Sequence, residues 1–338
     1  MTLLAMGSRS KHIRLADKYL VLNGTSTTYI DPDTWTALKD PRVEYRQVNL
    51  NIASNLSKVY YHPRGVSYDI VFDFTGEGIV DSNAPPATES DAIKSKGARG
   101  YWWSAEVVGP FVFYGSIPSR YALGKVYHYL GEPMKLLWGP DLRINTIHVD
   151  DWCPAAWKLV QWISSRPRSE ANKLAGEDLP PVRIKDITQD SLREKVGPEC
   201  CPRSDTPRAP VFNLVDDTDL NQGKLLRMIG ESFKIETGFA NAFINAYARV
   251  DLSGAADDIT EKHARAIAEI VQKTGIDDVA LKGWIDTEML ANCSLVLSNG
   301  KIKRVIGWAP QVDLNRERLD DILDRLRELN QFPKRDPV

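Results

Sequence analysis

Residues 70–74, Ile-Val-Phe-Asp-Phe, form a nearly continuous apolar run that stops at Thr75-Gly76-Glu77-Gly78. A strand apolar on both faces must be covered on both, and the crossover helices of a parallel sheet do this. The flanking sequence alternates accordingly. "HIRLA" (12–16) reads as a strand, and "DPDTWTALKD" (31–40) as a helical turn capped by Asp31 or Asp33, with Pro32 early. "RVEYRQVNL" (42–50) reads as a strand, and "NIASNLSKVYY" (51–61) as a short helix capped by Asn51. "VVGPFVFYG" (107–115) is a flawed strand, "SRYALGKVYHYL" (119–130) a helix and "RINTIHVDD" (143–151) a strand. In "DDWCPAAWKLVQWI" (150–163), Trp152, Ala156, Leu159, Val160 and Ile163 share a helical face, with Asp150 or Asp151 as cap.

Residues 164–210 are rich in proline and charge and poor in large apolar groups, which predicts a polar surface insertion. Beyond it, "VFNLVDD" (211–217) reads as a strand. Helices then follow, one opened by Asp217 to Asp219, one capped by Thr260 and stopped by Gly275, and one carrying Leu319, Ile322, Leu323, Leu326 and Leu329. Strands early and helices late divide the chain into 1–163, the insertion 164–210, and a mainly helical 211–338.

Bulk composition excludes more than it selects. Of 338 residues, 26% are charged and the net charge is -2, without a basic block, so neither nucleic acid nor an anionic membrane surface is an expected partner. No run of about 18 apolar residues suggests a spanning helix. The four cysteines form no Cys-x-x-Cys pair, and the opening "MTLLAMGS" lacks the basic leader and apolar core of a signal peptide. A cytoplasmic location is the resulting expectation.

Several phrases coincide in order: "IRLADK", "VEYRQVNL", "YDIVFDFTGEG", "FVFYG", "GEPMKLLWGPDLRINTIHVDDW", "VFNLVDDTDLNQGKLL" and "WIDTEMLANCSLVLSNGKIKRVIGW". Together they resemble the extended short-chain dehydrogenase/reductase superfamily, in its NAD-dependent epimerase/dehydratase branch. The likeness runs from about residue 12 to the C-terminus, outside the insertion, and is most specific over residues 131–152. It implies an α/β fold: an incomplete Rossmann-like parallel sheet with a smaller, mainly helical C-terminal substrate domain. It also implies NAD or NADP as cofactor and a small-molecule substrate. By this resemblance Asp17, with Lys18, would hold the adenosine ribose, and Thr75, Gly76 and Glu77 would pass its nicotinamide side. Arg143, with Tyr114, would meet the substrate, the arginine reaching a phosphate.

The chain departs from the family at two places. Relatives carry a glycine-rich phosphate loop roughly 30 residues before the second strand, and its glycines let backbone N–H groups at a helix N-terminus approach the diphosphate. No G-x-G-x-x-G or G-x-x-G-x-x-G occurs in the 338 residues. Relatives also use a Tyr-x-x-x-Lys pair as acid/base. Tyr101 is the positional candidate, but Ala105 stands where lysine is needed to lower the phenol's pKa. Tyr121 and Lys125 have the right spacing but follow "FVFYG", on the wrong side of that strand for the family. His148 with Asp150 and Asp151 suggests a metal or relay, against which helix capping explains the acids; no metal is expected. The expected function is NAD(P)-dependent oxidoreduction or epimerisation of a small hydroxylated substrate, impaired in this chain. The alternative is a catalytically inactive relative, or a truncated gene model, acting as a binding protein.

Overall fold

The computed structural model describes residues 11–17, 32–49, 55, 59, 85–94, 106–108, 116–178, 206, 208–276, 290, 292, 294 and 296–334. In chain order the elements are β1 (Ile13–Asp17), α1 (Pro32–Leu38), β2 (Val43–Gln47), α2 (Glu89–Lys94), β3 (Glu106–Val108), α3 (Ser116–Leu130), β4 (Met134–Leu136), β5 (Arg143–Ile144), β6 (Thr146–His148), α4 (Val149–Ser164), α5 (Arg168–Ala175), β7 (Gly176–Asp178), β8 (Arg208–Pro210), β9 (Leu220–Asn221), α6 (Gln222–Phe233), β10 (Thr237–Phe239), α7 (Ala242–Val250), α8 (Leu252–Thr274), α9 (Gly300–Ile306) and α10 (Arg316–Glu328).

The architecture is mixed α/β, with short parallel strand pairs set among helices. β1 runs parallel to β2 in the register Ile13↔Val43 to Asp17↔Gln47. β3 pairs in parallel with β6, and β4 with β10. The β5–β9 and β7–β8 pairs are antiparallel. No helix among the described residues is long and apolar enough to cross a membrane.

Among the described residues the expected helices form, but several begin elsewhere; the helix expected over 51–61 lies, but for residues 55 and 59, outside them. α4 is capped by His148, whose side chain accepts from the Asp150 N–H; neither Asp150 nor Asp151 is the cap. α8 starts eight residues before Thr260, because Asp251 accepts from the Gly254 N–H, and Gly275 ends it in a left-handed conformation as expected. α6 opens on Asn221 rather than on Asp217 to Asp219. In each case the side chain at the true boundary accepts a backbone N–H two or three residues on, which satisfies a donor of the first turn. Residues 211–217, expected as a strand, enter no ladder; the Asn213 N–H goes to Glu89 Oε1 and the Asp216 N–H to the Thr146 carbonyl.

Two apolar clusters hold these elements together. The larger joins Tyr121, Leu123 and Val126 of α3 to Leu225, Leu226, Ile229 and Phe233 of α6, Ile267 and Ile270 of α8, and Leu319, Ile322 and Leu323 of α10. The smaller joins Ala87, Ile147 and Ala155 to Val215, Leu297, Ile302 and Trp308. Both draw residues from before 163 and after 211, so the two expected regions share their cores. Between them, the ends of the polar segment are ordered: α5 buries Ala171 and Ala175, and β7 meets β8 across residues 179–207. Close approach of α3 to α6 requires Gly124, where a Cβ would overlap the Phe233 ring and press on Ile229 Cγ2 at 2.9 Å.

Candidate functional site

Asp17 is the last residue of β1, opposite Gln47 in the parallel register. The C-terminal end of a parallel pair is where open α/β sheets present ligand-binding groups. Lys18, Thr75, Gly76, Glu77, Tyr101 and Tyr114 lie outside the described residues.

Tyr121 is a core residue, 1% exposed. Its ring meets Phe233 edge-on at 5.5 Å, and its hydroxyl contacts Ser232 Oγ and donates to Asp320 Oδ1 at 2.5 Å. Burial first, and then the bond to Asp320, push its pKa well above that of a free phenol. That is the opposite of what a base working near neutrality needs. Lys125 is half-buried one turn along the same helix. The Tyr-x-x-x-Lys spacing therefore marks a packing tyrosine, its hydroxyl tying α3 to α6 and α10. Tyr121→Phe is expected to cost about 1–2 kcal/mol in urea denaturation through the lost hydrogen bonds. A catalytic role would instead lower turnover at unchanged stability.

Arg143 is half-buried on β5, its Nε 3.9 Å from Asp219 Oδ1, while its backbone N–H donates to Ser294 Oγ at 2.9 Å. Asp219 also binds Lys224 Nζ at 2.9 Å, and that bond holds its pKa below the usual carboxylate range. The guanidinium is thus placed beside an exposed acid and a second cation, at the start of α6.

A further polar group lies at the C-terminal end of β6, and sequence reading found only part of it. A small cleft there is lined by His148, Asp216, Val312, Asp313, Leu314 and Arg318. Asp216 is buried, bonded to the Thr146 hydroxyl and accepting the Thr218 N–H at 3.0 Å. Burial pushes its pKa up to about 6, and the neighbouring Asp313 charge adds to the shift. Its neighbour Asp217 goes the other way. Burial opposes its ionisation too, but the Asn299 amide at 2.8 Å and the Lys303 ammonium outweigh it and lower the pKa. His148 is pushed down, chiefly by burial, with Arg318 adding to the effect and Asp150 opposing it. Its Nδ1 accepts from the Asp150 N–H at 3.2 Å, so the neutral ring carries its proton on Nε2. The cleft thus brings together a buried carboxyl of raised proton affinity, an imidazole and a guanidinium, with no room for a ligand between them.

Asp151, expected as a cap, is 3% exposed and does something else. Its carboxylate accepts the Gln311 N–H on both oxygens at 2.9 Å and the Val312 N–H at 2.8 Å. The signal for Asp216 was in the sequence as the acid closing "VFNLVD", but nothing local marked it as buried. No group of three or more His, Cys, Asp or Glu side chains among the described residues is arranged to hold a metal ion.

A dinucleotide needs a glycine-lined helix start. The β6–α4 junction, a described strand-to-helix turn at the end of a parallel pair, has no glycine, and Asp150 and Asp151 occupy the first turn of its helix. Those acids take the favourable field of the helix N-terminus and repel a diphosphate, so this junction does not fit the cofactor. No family model matches the chain, and no curated protein matches it.

Proposed function

We propose that this chain is a member of the extended short-chain dehydrogenase/reductase superfamily, epimerase/dehydratase branch. Its ancestral role is NAD(P)-dependent oxidoreduction or epimerisation of a small hydroxylated substrate, retained here in impaired form. The observation that carries the reading is the two-stranded parallel pair β1–β2 ending on Asp17, which is compatible with a sheet that presents an acid to a ribose. Arg143 is the proposed contact for a substrate phosphate, which would have to displace Asp219, the acid that Arg143 and Lys224 both face.

When bound, the nicotinamide would supply the hydride chemistry. The residues of this chain supply less than such chemistry needs. No glycine-rich phosphate loop occurs in the 338 residues, and the tyrosine of the sole Tyr-x-x-x-Lys is committed to the core. The burial of Tyr121 favours a second reading, a catalytically inactive relative that binds a small molecule or partner. Titration of the purified protein with NADH, followed by nicotinamide fluorescence, is expected to show no saturation in the micromolar range. Micromolar saturation would overturn the impairment, and turnover of a hydroxylated substrate would overturn the second reading.

A further inference from the structure

We infer that residues 307–315 form a strap over the C-terminal end of β6, held closed in acid and loosened toward neutrality as the Asp216 carboxyl buried beneath it ionises, with Asp313 on the strap adding a smaller repulsion. The strap joins α9 to α10. Its ends are pinned by apolar side chains, Trp308 in the smaller cluster and Leu314 in the larger. Its middle is tied by side chains. Gln311 and Val312 donate their N–H groups to Asp151, and Leu314 donates to Thr218 Oγ1 at 3.1 Å.

Thr218 also donates its own N–H to Asp216, so the acid under the strap and the tie at Leu314 share one residue. Three of the five residues that share the cleft with Asp216 belong to the strap: Val312, Asp313 and Leu314. Lifting them exposes the Asp216 carboxyl to water. The other groups facing it are the Thr146 hydroxyl and His148 from β6, Thr218, and Arg318 from α10; Asp150 faces His148.

The direction follows from linkage. Asp216 binds its proton more tightly under the strap than in water, with a pKa of about 6 against an ordinary 3.8. The closed form is therefore favoured fully below about pH 4. It loses ground as pH rises through about 6 and reaches a plateau above that, a change of at most roughly a hundredfold in the opening constant. His148, pushed downward by burial, works in the opposite sense, but the larger displacement, at Asp216, sets the sign. Opening uncovers Asp216 and His148 at the end of the β3–β6 pair whether or not a dinucleotide binds.

Amide hydrogen exchange of the full chain from pH 4.5 to 7.5, corrected for the intrinsic rate at each pH, tests this. Protection of Gln311, Val312 and Leu314 is expected to fall about tenfold or more across that range. Asp216→Asn, which keeps the shape without the charge, is expected to abolish the slope, and Asp313→Asn to make it shallower. The idea fails if wild-type protection is flat with pH, or if Asp216→Asn leaves the slope unchanged. A loss shared equally by the Ile267 and Ile270 amides of α8 would mean general loosening and would also overturn it.

Discussion

Ile229→Ala is expected to lower the unfolding free energy by about 2–5 kcal/mol, the range for truncating a fully buried aliphatic side chain. Ile229 is 0% exposed and sits where α6 meets α3, against the site kept open by Gly124. The surrounding residues cannot collapse into the void cheaply, since Phe233 already fills the space beside Gly124. The larger cluster spans residues 121 to 332. The loss should therefore appear as one earlier urea transition, the same by tryptophan fluorescence and by far-ultraviolet circular dichroism. Two separated transitions, one unaffected by the substitution, would contradict a shared core.

Asp151→Ala comes second, at about 2–3 kcal/mol. The substitution removes a charged acceptor serving two backbone N–H groups, 160 and 161 residues away in sequence, and these lose their protein partner. Asp151→Asn keeps one acceptor oxygen and should recover part of the loss. Both variants should raise exchange at Gln311 and Val312 before any global unfolding is seen. If Asp151 acted merely at the helix start, Asp151→Ala would cost under about 1 kcal/mol and leave those amides unchanged.

Local physics was largely readable from residue order. The apolar spacings of 119–130, 150–163 and 319–329 returned as α3, α4 and α10, and Gly275 ended α8 because a left-handed residue there suits glycine. Caps were less legible, since Asp150, Asp151, Asn221 and Asp251 are chemically alike, and which one caps depends on backbone geometry at the junction. The candidate site was legible in parts. Asp17 could be placed at a strand end and Arg143 on a strand, because strand ends are set by nearby residues. Tyr121 was misleading: spacing places two side chains on one face of a helix but does not reveal whether that face meets water or another helix.

Residue order by itself determined much of the mixed strand and helix pattern among the described residues, the acid at the end of β1, the absence of a G-x-G-x-x-G motif from these 338 residues, and the polar character of 164–210. Only the tertiary structure decided that the regions on either side of that segment share two cores, that Tyr121 and Asp216 are buried, and that Asp151 holds the strap. The physical reason is range. Helical periodicity, caps and turns act over a few residues. Burial, and the proton affinity that follows from it, depend on partners such as Asp320 for Tyr121 and Asp313 for Asp216, about 200 and 100 residues away along the chain.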